Sequence, residues 1–183
     1  HDWLQALGGA ERVLIELHAI FPDAPIYTIF ADPRFIKAHL PNATIRTSFL
    51  QSIPGITRWY RFFVPLMPTA VESFDLGNYD VVLSSSISFS KGLILKPKTR
   101  HICYCYSPTR FLWDRHAVYE SRGWSSGIVR HILRIWDRGA SDRVDEFIAI
   151  SQHVQERIKK YYRRESQIIY PPVQHLTPGT API

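Results

Sequence analysis

The stretch Tyr79-Asp80-Val81-Val82-Leu83-Ser84-Ser85-Ser86 decides the class of fold. Its apolar residues do not alternate with polar ones, the pattern of a strand buried on both faces of a parallel sheet. It ends in three small hydroxyl residues, and in open α/β sheets ligands gather beyond the carboxyl ends of the strands. Lys91-Gly92 follows within a short turn. Two later runs repeat the arrangement. His101-Ile102-Cys103-Tyr104-Cys105-Tyr106 leads into the polar and aromatic loop Ser107-Pro108-Thr109-Arg110-Phe111-Leu112-Trp113-Asp114, and Phe147-Ile148-Ala149-Ile150 leads into Ser151, read as the N-cap of a helix through Tyr162. Ile26 to Phe30 reads as a short strand, Thr44 to Thr47 as a weaker one and Gln167 to Tyr170 as the last. Helical patterns separate the strands: a brief turn at Phe35 to Leu40 and a long helix from Gly127 to Val144. Strand and helix alternate, so the expected fold is a Rossmann-like, doubly wound parallel sheet with helices on both faces.

Working outward to the start of the chain, His1-Asp2-Trp3-Leu4-Gln5-Ala6-Leu7-Gly8-Gly9 reads as a turn feeding a helix. From Ala10 the apolar residues fall at 10, 13, 14, 17, 20 and 21, one buried helical face, before Pro22 stops it. Two glycines at a helix N-terminus let backbone N–H groups approach a ligand, and the helix dipole favours phosphate there. The same pair also reads as an ordinary tight turn. In an α/β domain such a turn follows a buried strand, so a first strand is expected ahead of His1, at the centre of the sheet. Without that strand the turn is expected to be poorly supported. At the other end, Pro171-Pro172-Val173 and the tail behind it read as a linker. The expected division is one domain over 1–173, truncated at its N-terminus, and the start of an interdomain linker at 174–183.

At 183 residues, 45% hydrophobic and 21% charged, the chain suits a single globular domain. A net charge of +6 and a pI near 9.5 favour acidic partners. No apolar run reaches the ~20 residues of a membrane span. The two cysteines, Cys103 and Cys105, lie on one face of a strand and are read as buried free thiols.

Arg58-Trp59-Tyr60-Arg61-Phe62-Phe63 and the residues to Pro68 interleave arginines with aromatics, and Pro65 and Pro68 must interrupt any helix there. The segment reads either as helices covering a sheet face or as a membrane-interface patch using Arg58, Trp59, Arg61, Phe62 and Phe63. Base stacking on these aromatics would need a platform strand that is absent, so nucleic acid is not an expected partner. Arg130, Arg134 and Arg138 form a second stripe, read as a solvated face or as a membrane or anion contact. Arg110 and Asp114, four residues apart, either pair on a helix or leave Arg110 as a clamp for phosphate or carboxylate.

The segments quoted from His1 to Glu11, Tyr79 to Ser86, Lys91-Gly92, His101 to Tyr104, Pro108 to Asp114 and Phe147 to Val173 resemble, in order, the N-terminal domain of glycosyltransferase family 4. The resemblance implies a GT-B enzyme: two Rossmann-like domains, the N-terminal one for the acceptor and the C-terminal one for most of a nucleotide-sugar. It implies a GDP- or UDP-linked donor, here expected to carry a mannose-like hexose, and transfer with retention to a lipid-linked or polysaccharide acceptor. Neither a cofactor nor a metal is expected. The domain would work as a peripheral protein on the cytoplasmic, inner face of the membrane. Gly8 and Gly9 would close over the donor diphosphate. Asp2, Trp3, Ser85, Ser86, Lys91, Tyr106, Ser107, Arg110, Asp114 and Ser151 would line the acceptor and sugar cleft. The catalytic residues are not assigned. Two positions depart from the family pattern: Tyr106 stands where a histidine is common, and Ile150-Ser151 where Asn-Ser is frequent. The competing expectation is a Rossmann-like binding module or subunit without catalysis.

Overall fold

A computed structural model of the chain describes residues 1–114 and 127–172. The expectation for the linker at 174–183 lies outside them. The elements alternate as expected except that β4 follows β3 with no helix between them: α1 (Gly9–Ile20), β1 (Ile26–Thr28), α2 (Pro33–His39), β2 (Ile45–Thr47), a 3-10 turn (Phe49–Ser52), α3 (Ile56–Trp59), a 3-10 helix (Tyr60–Leu66), α4 (Met67–Glu72), β3 (Val81–Ser86), β4 (Arg100–Cys105), α5 (Arg110–Trp113), α6 (Gly127–Asp142), β5 (Glu146–Ala149), α7 (Gln152–Tyr162) and β6 (Gln167–Ile168). Local chemistry sets several of the starts. Asp32 caps α2 through the Arg34 amide at 2.8 Å, with Pro33 in its first turn. Ser151 caps α7 by accepting from the Val154 amide. Pro65 lies inside the 3-10 helix and Pro68 in the first turn of α4, so the aromatic segment becomes three short pieces.

Every strand pair is parallel, but the strands form two sheets, β1-β2 and β3-β4-β5-β6, rather than one. Between β1 and β3 lies an apolar slot of about 390 Å³, lined by Leu17, Phe21, Ile26, Tyr27 and the edge of β3. The slot explains where two expectations of burial fail. Val81 is 57% exposed and Leu83 is also exposed, although the run was read as buried on both faces. The far end of the α1 face, Ile20 and Phe21, is likewise exposed, because α1 runs out along the slot mouth instead of onto a sheet.

The segment ahead of α1 is pinned, contrary to the expected loss of support. The His1 main-chain nitrogen donates to the Tyr27 carbonyl at 2.9 Å, Ile29 N–H donates to Asp2 O, and Leu4 N–H donates to Phe30 O. Leu4 is fully buried and bridges Ala31 in the parallel sense. Three apolar clusters hold the layers. The largest surrounds Ile29, Phe30, Met67, Phe89 and Leu112; a second joins Cys103, Cys105 and Phe147 to Ile158 and Tyr162; the third packs α1 and α2 around Leu4. Both cysteines are free and buried.

Candidate functional site

The carboxyl ends of β3 and β4 and the start of the chain meet at one rim. Its most constrained group is Asp2. The fully buried carboxylate accepts four backbone N–H bonds, from Ile87 and Ser88 on Oδ2 (2.6 and 2.9 Å) and from Phe89 and Ser90 on Oδ1 (2.6 and 2.8 Å). Successive amides turned to one point make an anion nest, and the chain's own carboxylate fills it. Asp2, expected in the cleft, is therefore an anchor for the loop after β3.

Beside it runs a chain of hydrogen bonds. The Tyr106 hydroxyl donates to Ala10 O at 3.1 Å, so it accepts from Ser85 Oγ (3.0 Å), and Ser85 accepts from His1 Nδ1 (3.0 Å). This direction assigns the Nδ1 proton on His1. His1 Nε2 faces Glu11 Oε1 at 3.5 Å, and Glu11 Oε2 accepts the Gly8 N–H at 2.9 Å. Burial of Glu11 opposes its charge, but hydrogen bonds from His1 and the Gly8 amide outweigh it and hold the pKa below the usual range. Burial pushes the Tyr106 phenol up. The N-terminus of α1 thus already carries a carboxylate.

Neither glycine of the turn has a positive φ. A Cβ on Gly8 would meet Glu11 Oε2 at 2.7 Å, whereas a Cβ on Gly9 would meet nothing within 4 Å. Gly8 is fitted to Glu11, and open space lies before Gly9.

Lys91, also expected in the cleft, is 1% exposed. Its ammonium pairs with Asp137 Oδ1 of α6 at 2.5 Å and donates to the Ser88 carbonyl. Asp137 further accepts from Thr109 Oγ1 (2.6 Å), Trp113 Nε1 (2.7 Å) and the Tyr162 hydroxyl (2.9 Å). Burial and the Asp137 charge drive the Tyr162 phenol well up. This hub ties the loops after β3 and β4 to α6 and α7 beneath the rim. Gly92 belongs to the same packing: a Cβ there would meet the Trp136 ring at 2.3 Å.

Other expected residues are also diverted from the cleft. Ser85 and Ser86 are buried, Ser85 within the His1–Tyr106 chain. Asp114 pairs with Arg157 and accepts from the Tyr161 hydroxyl at 2.6 Å, not from the Arg110 side chain. The Ser151 hydroxyl is used as a helix cap. What remains does converge. Trp3, Tyr106, Ser107 and Arg110 line one pocket of about 350 Å³, together with Arg61 and Arg130. Trp3 stacks on Phe30 and touches Tyr60, which fixes the pocket wall.

The arginine stripe of α6 is not a solvated face. Arg130 lines this pocket, Arg134 Nε donates to Leu112 O at 3.0 Å, and Arg138 pairs with Asp142. Ile128, Ile132 and Ile135 point outward instead, Ile128 at 72% exposure. The helix turns this way because Asp137, Ala140 and Ser141 form its buried side with Leu133. In the aromatic segment Arg58, Trp59, Arg61 and Phe62 are exposed, Phe62 at 73%, but Phe63 packs against the core. Among the described residues no helix is long and apolar enough to cross a membrane.

The carboxyl ends of the parallel strands carry a cleft of aromatic, hydroxyl and guanidinium groups, the place where open α/β sheets take their ligands. The model of Glycosyltransferase Family 4 matches residues 7–175, and the chain belongs to that family as a glycosyltransferase N-terminal domain. No curated protein and no solved structure matches the chain.

Proposed function

We propose that this domain holds the acceptor while a C-terminal domain presents a GDP- or UDP-linked sugar, a mannose-like hexose, for transfer with retention to a lipid-linked or polysaccharide acceptor. The observation that carries the reading is the pocket shared by Trp3, Tyr106, Ser107 and Arg110 on the rim of a family 4 domain. An aromatic wall with hydroxyls beside it suits a sugar ring. The open space before Gly9 leaves room for a donor diphosphate approaching from the other lobe. We place the reaction at the inner face of the cytoplasmic membrane. Exposed Arg58, Trp59 and Phe62 support that contact, and so do Ile128, Ile132 and Ile135 on α6, the other helix flanking the pocket.

The testing experiment is a donor screen on the enzyme containing both domains, scoring transfer against hydrolysis for each nucleotide-sugar. The 183-residue chain alone is expected to give no transfer, and turnover by it would refute the two-domain reading. A second reading, a binding module or subunit without catalysis, draws on Glu11: its carboxylate already occupies the helix N-terminus that a donor phosphate would use. Absence of transfer with every donor would favour it.

A further inference from the structure

Tyr106 belongs to two places at once. It follows β4, its N–H donates to Ser86 O at 3.0 Å, and its ring meets the Tyr104 ring nearly edge-on at 5.4 Å. The Tyr104 hydroxyl donates in turn to Ile169 O at 2.9 Å, so the Tyr106 ring stands on the four-stranded sheet. That ring lines the cleft pocket with Trp3, Ser107 and Arg110. Its hydroxyl reaches the carbonyl of Ala10 in the first turn of α1, 96 residues away in the chain. Helix α1 packs with the other half of the fold. Leu14 joins Leu4, Ile26 and Phe35 in one apolar cluster, whereas Cys103 and Cys105 of β4 belong to a second. The hydrogen bond therefore crosses from one sheet to the helix of the other. Its direction is fixed, because a carbonyl can only accept: the phenol donates to Ala10 O and accepts from Ser85. Burial raises the pKa of the phenol, so the proton stays in place at neutral pH.

We propose that Tyr106 is a positioning residue, which by holding Ala10 sets the Gly8-Gly9 turn at a fixed place relative to the cleft pocket. Transfer between two bound substrates needs their sites held in register. A phenol suits the task, since its ring walls the pocket while the O–H at its far end ties down the helix. The role rests on the reading given above, with the donor diphosphate before Gly9 and the acceptor in the pocket.

Tyr106→Phe keeps the ring and deletes the tie. Nitrogen relaxation on the chain is expected to show order parameters at Gly9, Ala10 and Glu11 falling from about 0.85 toward about 0.6. Ser85→Ala is expected to act in the same direction and less strongly, because the phenol loses the donor that orients it. Tyr104→Phe removes an equal group from the neighbouring ring and is expected to leave the start of α1 unchanged. Circular dichroism melts check that all three variants stay folded. In the two-domain enzyme Tyr106→Phe is expected to raise the KM for nucleotide-sugar about fivefold, the worth of one net hydrogen bond, with the acceptor KM within about twofold. A mere loss of folded enzyme would lower kcat and leave both KM values alone. Unchanged order parameters in Tyr106→Phe, or an equal fall in Tyr104→Phe, would overturn the tie. A loosened turn with an unchanged KM for nucleotide-sugar would overturn the positioning role. Absence of transfer from every donor by the unaltered two-domain enzyme would overturn the glycosyltransferase reading instead, and the relaxation measurement decides the tie by itself.

Discussion

Asp137→Asn changes one oxygen for an NH2 group, keeps the shape of the side chain and removes its charge. Lys91 and Asp137 are each about 1% exposed, so the ammonium left behind has no water to turn to. Breaking a buried pair in this way costs about 3–5 kcal/mol, since the remaining charge is uncompensated. The new amide adds a mismatch. Asp137 accepts from Lys91 and Thr109 on one oxygen and from Trp113 and Tyr162 on the other, so the NH2 must face a pair of donors whichever way it turns. Against a total stability of about 5–15 kcal/mol for a domain, that is a large share. With a urea m-value of about 2 kcal/mol/M, a loss of 4 kcal/mol moves the midpoint down by about 2 M. Lys91→Met is expected to cost less, because three neutral donors still satisfy the carboxylate. The double variant is expected to cost less than the sum, with a coupling of at least about 2 kcal/mol. The assay is urea unfolding followed by tryptophan fluorescence at constant protein concentration. A midpoint shift under about 0.5 M for Asp137→Asn, or strict additivity in the cycle, would refute the hub.

Three further expectations address the rim and its supports. Burial lowers the pKa of His101 to about 4, and its Nδ1 has no partner among the described residues, so the fold holds the neutral ring. The unfolded chain takes up the proton first as the pH falls below 6.5, and stability is lost progressively down to about pH 4, by about 3 kcal/mol in all. His101→Gln is expected to flatten the slope of stability against pH across that window, and an unaltered slope would assign the loss to other groups. Gly9→Ala meets no atom within 4 Å and improves helix propensity, so the melting temperature should hold or rise, by up to about 1 kcal/mol in stability. If the space before Gly9 takes the donor diphosphate, the same variant raises the KM for nucleotide-sugar in the two-domain enzyme; unchanged kinetics would make the turn purely structural. Gly92→Ala drives a methyl into the Trp136 ring and is expected to cost about 1–3 kcal/mol by overpacking, measurable in the same urea assay.

What the sequence revealed and what it hid divide along a physical line. The strand at Val81 to Ser86, the cap at Ser151 and the start of α1 are local events, governed by neighbouring residues, and all three appear where the reading expected them. Lys91 was expected in the cleft on the family resemblance, and the structure buries it instead. Its partner Asp137 is 46 residues away, and nothing local announces the pair. The same holds for Asp2, whose four amides lie 85 to 88 residues along the chain. On α6 a buried aspartate, Asp137, turns the helix so that Ile128, Ile132 and Ile135 face outward, and no neighbouring residue announces that orientation. Of the ten positions expected in the cleft, Trp3, Tyr106, Ser107 and Arg110 line the pocket. The contributions of Arg61 and Arg130 went unseen because each was read as part of a surface stripe.

The seam between the two sheets has a kinetic consequence. β4 is bonded to strands on both sides, whereas β1 and β3 share no ladder. The halves are joined instead by side chains: the apolar cluster around Ile29, Phe30, Phe89 and Leu112, and the ties of Asp2 to the loop after β3, His1 to Ser85, Tyr106 to Ala10 O and Tyr27 to Tyr79. A sheet resists opening as a unit, but a junction of side-chain contacts with no backbone ladder can release one half while the other keeps its hydrogen bonds. Amide exchange should therefore be slowest at Cys103, Tyr104 and Cys105 and faster through Ile26 to Thr28. The half that opens first carries His1, Gly8 and Gly9, so the rim dissolves in rare openings long before the β3–β6 sheet does.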